Sequence, residues 1–254
     1  MRPQQIRAAI AAHTPVVLAI GVQEYHGEHL PVGMDLLAVT RVLDRLEAEA
    51  EIVILPSYPY GAASNAVAGP EGTGNLHIDA GLILPLAQAL FASLLRIGFR
   101  NIHGIIHHQT ENFAQGMPTD LAFRLAARQA IFAHLEAVRG PGWWGAEGME
   151  SYYADHAAGD NPFNWIAIHP LMDADITARY PYDHAGEGET ALMLALAPET
   201  VEMGRVTEGG HWYVQGAERA TAARGEAGVA MVMERLRAIL GLTTPAGQQP
   251  PSSG

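Results

Sequence analysis

The loop QEYHGEHLPVGMD, residues 23–35, places three carboxylates and two imidazoles directly after an apolar run. Glu24 and His26 are two residues apart, so in an extended chain both side chains point to the same side. Glycines within the loop permit sharp turns, which would bring Asp35 back towards this pair. Carboxylates with imidazoles form a ligand set suited to Zn, Mn or Fe. The alternative is a solvated loop in which Asp35 caps the following helix.

A second polar group, HHQTEN, begins at His107 and follows another apolar run. Its residue types make His107, His108, Gln109 and Glu111 candidate ligands. Because side chains alternate along a strand, at most one of the two adjacent histidines is expected to point into a site. The alternative is that one histidine belongs to the core and the other is exposed.

A third stretch, YDHAGEGETALML, contains His184, Glu187 and Glu189 just before a helical pattern. Carboxylates near a helix N-terminus are favoured in any protein, which is a purely structural explanation for both glutamates. His184 has no equally simple explanation. A histidine beside a metal site acts either as a ligand or as the general acid that protonates a leaving group.

Alternating strand and helix patterns predict how these stretches are positioned. The predicted strands are residues 15–21, 51–56 and 101–108, and the predicted helices are 3–12, 36–50, 78–98, 118–139, 188–197 and 216–241. Pro85 predicts either a kink or a helix that begins near it. This order indicates an α/β fold, with a mostly parallel central sheet flanked by helices. The loops after the first and third strands then emerge at the same edge, where such sheets bind ligands.

The chain has no linker or internal repeat, so we expect one domain over residues 1–241 and a disordered tail at 242–254. Residues 141–165 are irregular and rich in glycine and aromatics. They predict either a lid that stacks on a small flat substrate or an aromatic subunit interface.

Composition excludes several classes of function. A net charge of −12 argues against nucleic acid or an anionic membrane as partner. The absence of cysteine excludes disulfides, thiolate metal sites and a cysteine nucleophile. The N-terminal residues lack the pattern of a signal peptide, and we expect no segment to approach the ~20 apolar residues of a membrane helix. We therefore expect a soluble, cytoplasmic protein.

Two of these stretches resemble motifs of the creatininase (creatinine amidohydrolase) family. EYHGEHLPVGMD matches a pattern of the form E-x-H-G-x-H-L-P-x-x-x-D, and HAGEGET matches H-A-G-x-x-E-T. Their order and spacing also agree, over residues 15–205. LPSYPYG and EGTGN resemble the family's Pro-Tyr-Gly and Gly-Thr segments more weakly. The resemblance implies a three-layer α/β/α fold and a hexamer.

The resemblance also implies two metal ions per chain, Zn, Mn or Fe. In that family the glutamate and histidine of the first motif bind one metal each and its aspartate bridges both, which assigns Glu24, His26 and Asp35. The remaining ligands come from a strand end that usually reads N-G-H-G-G-N, or has a glutamate two residues after the histidine.

This chain departs from that pattern. Alignment on Asn112 places Glu111 on the glutamate and Gln109 on the histidine, whereas a slip of one residue places His108 on the histidine. Imidazole binds divalent metals far better than a carboxamide, so the predicted ligands are His108 and Glu111. If Gln109 occupies the position, one metal is weak or absent.

By the same resemblance His184 is the catalytic acid and base, and Glu189 orients it or contacts substrate. The implied activity is hydrolysis of an amide, cyclic amide or formamide C–N bond in a small molecule, with a metal-activated hydroxide as nucleophile. One alternative is a metal-dependent isomerase or lyase of a sugar-like substrate. The other is a metal-binding but catalytically silent scaffold subunit.

Overall fold

A computed structural model describes residues 1–159, 161–180 and 183–242. The tail predicted at 242–254 lies outside the described residues, apart from residue 242. Within the described part, the strands are β1 (Val16–Ile20), β2 (Val53–Ile54), β3 (Ile102–Ile106) and β4 (Ile166–Pro170). The α-helices are α1 (Pro3–Ala11), α2 (Met34–Glu47), α3 (Ala80–Ile97), α4 (Pro118–Arg139), α5 (Tyr152–Ala158), α6 (Ala174–Thr177), α7 (Glu187–Leu196) and α8 (Ala222–Ile239).

The four strands form one parallel sheet in the order β2-β1-β3-β4. Strands β1 and β3 are neighbours throughout their length, from Val16 beside Ile102 to Ile20 beside Ile106. The loops that follow them therefore leave the sheet side by side. The predicted single α/β domain with a parallel central sheet between helices is confirmed.

Alternation along the strands divides the core between the two faces of the sheet. Val17, Ala19 and Ile105 pack with helices α2, α7 and α8. Leu18 and Ile20 pack on the opposite face, with α1, α3 and α4. These strand residues are almost completely buried, and each large side chain contributes about 1.5–3 kcal/mol by leaving water. The two packed faces hold β1 and β3 rigidly behind the loops that carry the polar residues.

Helix α7 packs directly against the backbone of α8. A Cβ atom added to Gly225 of α8 would lie 1.8 Å from the carbonyl oxygen of Ala191 in α7, so only glycine permits this approach. Helix α8 begins at Ala222, later than predicted, because the Thr221 side chain caps it by accepting a hydrogen bond from the backbone N–H of Arg224. The contact fixes the position of α7, whose first turn contains Glu189.

Among the described helices, α3 is long and apolar enough to cross a membrane by length and composition alone. The expectation that no segment approaches this limit was therefore wrong. In the fold α3 lies against the sheet with Phe91 fully buried, and it continues through Pro85 without a break. The outer faces of α3 and α4 are both largely apolar; the exposed large hydrophobic side chains on the two helices include Leu82, Leu86, Leu121, Leu125 and Phe132.

The aromatic segment 141–165, which the structure describes except for residue 160, lies at the other edge of the sheet from the loops that follow β1 and β3. Its last residue, Trp165, accepts a hydrogen bond from the backbone N–H of Ile102, where β3 begins. A groove of about 570 Å³ opens there, lined by Phe132, Gly142, Trp143, Trp144, Gly145, Tyr152 and Phe163. The length of β3, roughly 15 Å, separates this groove from the other edge. This placement does not support a lid over the chain's own site.

A histidine pair on β3 and β4 predicts a loss of stability in mild acid. The rings of His103 and His169 are stacked, with His103 Nδ1 3.1 Å from His169 Nε2. Burial lowers the pKa of His103 to about 4, and burial with the nearby His103 and Arg235 lowers that of His169 to about 3. Between pH 6.5 and 4 the unfolded chain binds protons that the folded protein does not, so stability falls as pH falls.

For His103 alone the expected loss is about 3 kcal/mol, complete near pH 4. Urea unfolding of chelator-treated protein at pH 7.5, 6 and 5 measures it, since chelation removes any contribution from bound metal. His103→Gln, which does not titrate, should show a smaller loss than the parent protein. If the two proteins lose the same free energy of unfolding, His103 is not the cause of the loss.

Candidate metal centre

The loop after β1 carries two carboxylates and an imidazole into the protein interior. Glu24, His26 and Asp35 are each at most 4% exposed. Gly27 adopts the left-handed conformation (φ 72°), which reverses the chain after His26. Asp35 lies in the first turn of α2, where the helix dipole also favours its negative charge. The loop is therefore a buried structure rather than a solvated one.

The first group of candidate ligand atoms consists of Glu24, Asp35 and His108. His108 Nδ1 lies 3.3 Å from Glu24 Oε2 and 3.6 Å from Asp35 Oδ2. The other ring nitrogen, Nε2, is 3.1 Å from the carbonyl oxygen of Ala62 and donates its hydrogen there. This bond selects the tautomer in which the Nδ1 lone pair faces the two carboxylates.

The second group consists of His26, Asp35 and Glu189. His26 Nε2 lies 3.7 Å from Asp35 Oδ1 and 3.6 Å from Glu189 Oε2. His26 Nδ1 is 2.9 Å from the carbonyl oxygen of Glu24, and donation to this oxygen leaves the Nε2 lone pair facing the carboxylates. Asp35 thus contributes one oxygen to each group.

His184 lies at the outer side of the cluster. Its Nε2 donates to the carbonyl oxygen of Tyr25 at 2.9 Å, and its Nδ1 lies 3.8 Å from Glu24 Oε2. Its side chain is 22% exposed, whereas those of Glu24 and His26 are almost fully buried. The Tyr213 ring meets it edge-on at 5.0 Å. His184 is therefore the imidazole of the cluster that a molecule arriving from solvent reaches first.

Glu189 is held by groups from two elements. His107 Nε2 donates to Oε1 at 3.0 Å, and the backbone N–H of Ala185 donates to Oε2 at 2.7 Å. Ala185 adopts the left-handed conformation (φ 54°), uncommon for a residue other than glycine. The Asp183 carboxylate caps the start of α7 by accepting from the backbone N–H groups of Gly188 and Glu189 at 2.6 and 2.9 Å.

The electrostatics of the cluster couple its imidazoles to its carboxylates. Burial alone lowers the pKa of His108, but Asp35 and Glu24 outweigh it and raise the pKa to about 10. For His26 the carboxylates likewise outweigh burial and raise the pKa. Burial raises the pKa of Asp35, and the imidazoles more than reverse this, so that its pKa falls far below the usual range. The cluster consequently stabilises positive charge at its centre.

The donor atoms fit divalent metal ions. Ligand atoms that share one tetrahedral ion at about 2.1 Å lie roughly 3.4 Å apart. The separations from His108 to its carboxylates, 3.3 and 3.6 Å, and from His26 to its carboxylates, 3.7 and 3.6 Å, are close to this value. Among the residues that the structure describes, His26 Nε2 and Asp35 Oδ2 are buried and find no hydrogen-bond partner, which is costly unless another group binds them.

Seven residues were assigned a role from the sequence, and the structure brings six of them together; these are Glu24, His26, Asp35, His108, His184 and Glu189. Glu111 is not among them, because it is exposed and accepts a hydrogen bond from Asn112. Gln109 adopts a left-handed conformation (φ 54°), and the 3₁₀ turn Thr110–Asn112 follows it. This turn carries Glu111 out of the cluster, and Glu189 supplies the second carboxylate in its place.

Both adjacent histidines contact the cluster, contrary to the expectation from strand alternation. Strand β3 ends at Ile106, so the alternation rule no longer applies to His107 and His108. Asp183 was not singled out from the sequence as part of the site, whereas His29 was a further candidate ligand by residue type and lies outside the candidate ligand groups of the described residues. The sequence signal for Asp183 is a carboxylate placed a few residues before a helix.

Comparisons with known proteins identify the family of this chain. A family model described as creatinine amidohydrolase (Creatininase) matches residues 1–240. A creatinine amidohydrolase from Pseudomonas putida is 26% identical over 208 residues, which cover 81% of this chain and 73% of the relative. Among solved structures, a tryptophan-to-phenylalanine mutant of creatininase has a TM-score of 0.65 at 19% identity and covers 94% of both chains.

A structure titled as creatininase with Mn has a TM-score of 0.63 at 19% identity, and a glutamate-to-glutamine mutant of the Zn-Zn type has 0.63 at 18%; both cover 94% of each chain. The family match, the fold and the cluster define a metal-dependent amidohydrolase. The chain belongs to the creatininase family.

Proposed function

We propose that this protein hydrolyses a C–N bond of an amide, cyclic amide or formamide in a small molecule, and that it uses two divalent metal ions. The observation that carries the proposal is Asp35, whose two carboxylate oxygens face two separate ligand groups. A shared carboxylate is the arrangement that holds two ions close together in hydrolytic sites.

In this proposal Glu24, Asp35 and His108 hold one ion, and His26, Asp35 and Glu189 hold the other. Bound there, the ions would supply an activated water and an electrophile for the substrate's carbonyl oxygen. The structures of relatives titled with Mn and Zn support these metals as candidates. The proposed role of Glu189 differs from its predicted role in orienting His184.

His184 is proposed to move the proton that the leaving nitrogen requires. The bond from its Nε2–H to the Tyr25 carbonyl fixes the ring and leaves Nδ1 as the site that accepts and returns a proton. Nδ1 faces Glu24 at the partly exposed side of the cluster. This position lets His184 reach a substrate nitrogen while the buried imidazoles remain directed at the ions.

Charge restricts the class of substrate. The chain has no lysine, and Arg205, near the cluster, pairs with Glu28 and Glu208. The net charge of the whole chain, −12, disfavours a phosphorylated substrate. We infer a neutral or cationic small molecule, and creatinine is one candidate because the matched relatives are named for it.

A substrate screen tests the proposal. Protein stripped with a chelator and reconstituted with Zn²⁺ or Mn²⁺ is assayed against cyclic amides, lactams and formamides, with ammonia, amine or formate release as the readout. We expect turnover of at least one class that depends on added metal. Bound metal without C–N hydrolysis would favour the isomerase or lyase alternative, and the absence of any bound metal would favour a silent scaffold.

A separate prediction concerns the second carboxylate of the ligand group that contains His26 and Asp35. The structure favours Glu189 for this position, whereas the sequence favoured Glu111. Glu189→Gln should lower the metal content from two equivalents towards one and reduce turnover more than 10-fold, because a carboxamide is a weaker ligand than a carboxylate. Glu111→Gln should leave both unchanged, since Glu111 is exposed. Elemental analysis of both variants, purified in parallel, checks this. A loss of metal in Glu111→Gln alone would restore the ligand set inferred from the sequence.

We also propose that the protein is a cytoplasmic homo-oligomer, a hexamer by family resemblance. The apolar outer face of α3 and α4 supports self-association, because Leu82 and Leu86 are 66% and 56% exposed in the single chain. Sedimentation of the purified protein measures the number of copies.

A further inference from the structure

A loop and a helix that carry residues of the cluster are joined by a buried hydrogen bond outside it. His29, in the loop after β1, places its Nε2 2.9 Å from the hydroxyl oxygen of Thr190, in α7. The two residues are 1% and 0% exposed. Neither belongs to the candidate ligand groups, yet each follows a proposed ligand closely in the chain, since Thr190 is adjacent to Glu189.

Neighbouring backbone groups restrict the position of His29. A Cβ atom added to Gly27 would lie 2.9 Å from Nδ1 of His29, and Gly27 has a positive φ, so a side chain there would displace the ring. The backbone carbonyl of His29 accepts from the N–H of Glu202, which fixes the residue from another direction. Its ring is therefore held in place on the side away from Thr190.

On the α7 side, Thr190 and Glu189 both bond to Ala185. The Thr190 hydroxyl lies 3.5 Å from the Ala185 carbonyl oxygen, and the Ala185 N–H donates to Glu189 Oε2 at 2.7 Å. In the tautomer with hydrogen on Nε2, His29 donates to the hydroxyl, whose own hydrogen then points to the Ala185 carbonyl. The orientation of the Glu189 carboxylate is thus connected to His29 through Thr190 and Ala185.

We propose that His29 and Thr190 are positioning residues that set the Glu189 carboxylate and so the affinity of the ligand group His26, Asp35 and Glu189 for its metal. The inference rests on the proposed two-metal function. Groups that hold a ligand in place without contacting the metal contribute about 10–100-fold to metal affinity. We expect an effect of this size on one of the two metal equivalents.

Thr190→Val and Thr190→Ser form a matched pair, because valine keeps the shape of threonine without the hydroxyl and serine keeps the hydroxyl. Chelator-stripped proteins are titrated with Zn²⁺ against a chromogenic chelator, which gives the affinity of each equivalent without an activity assay. Thr190→Val should weaken one equivalent 10–100-fold and leave the other within about threefold. Thr190→Ser should match the parent protein.

His29 is tested in the same titration. His29→Leu should weaken the same equivalent as Thr190→Val, and the double variant should be no weaker than the more affected single variant, because both changes remove one bond. His29→Gln, whose amide nitrogen can take the place of Nε2, should recover part of the affinity. Thermal unfolding of the metal-free proteins, measured alongside, identifies a purely structural effect.

If Thr190→Val lowers thermal stability but keeps both affinities, the inference is overturned while the proposed function stands. Equal weakening of both equivalents would also overturn it, since the bond would then act on the whole cluster. If the parent protein binds no Zn²⁺ at all, the two-metal function fails, and this inference fails with it.

Discussion

Asp35→Ala is expected to remove both metal equivalents together. Asp35 is the residue whose two oxygens face both ligand groups, and no other carboxylate among the described residues approaches both His26 Nε2 and His108 Nδ1 within 4 Å. Removal of a group that supports a ligand without binding the metal lowers activity by up to about 100-fold. Asp35 is a proposed ligand itself, so turnover should fall by more than this. Elemental analysis of the natively purified variant measures the loss.

Glu24→Ala and His26→Ala are the matched comparisons, because each removes a ligand from one group. Each should lower metal content by about one equivalent, and the two should affect different equivalents. Circular dichroism of all three variants establishes that they fold. An Asp35→Ala protein that still holds both metals would show that Asp35 does not bridge them.

His184→Gln is expected to reduce kcat by about 10²–10⁴-fold, the usual contribution of general acid–base catalysis, with both metals retained. Glutamine can reproduce the Nε2–H bond to the Tyr25 carbonyl, so the loop contact is preserved while the proton site at Nδ1 is lost. The kinetics of the metal-loaded variant and its metal content are measured on the same sample.

His211→Gln provides the control, because His211 stacks on Tyr213 at 4.9 Å and so lies near His184 without contacting the cluster carboxylates. It should retain most of the activity. A His184→Gln protein that has lost one metal would identify His184 as a ligand. The geometry permits this role, because candidate ligand atoms of Glu24, His26 and His184 also lie within 4.8 Å of one another.

Strand and helix prediction succeeded where a single physical preference determined the local structure. Helix α4 begins at Pro118 and ends before Gly140, as these two residues predict. The apolar runs of β1 and β3 were recognised because strands buried on both faces need no polar residues. Strand β4 was missed, because its residues IAIHP include a histidine and a proline and follow an irregular aromatic segment.

The cluster was predicted less completely, because two of its features depend on tertiary contacts. The position of Glu189 at a helix N-terminus is enough to explain a carboxylate there. Only the distance of 3.6 Å between Glu189 Oε2 and His26 Nε2 indicates a second role. Glu111 is close to His108 in sequence, but the backbone turn after Gln109 carries it to the surface. Proximity in the chain was therefore a poor guide to which carboxylate completes the site.

The opposite placement of the cluster and the aromatic segment has a practical consequence. Attachment of a fluorophore or a solid support at an exposed position of the segment, such as Tyr153 at 72% exposure, leaves the whole of β3 between the label and the proposed metal ligands. The chain has no cysteine, so a single cysteine introduced there would be the only thiol available to such a reagent. Immobilised in this way, the enzyme presents its reactive edge to the solution.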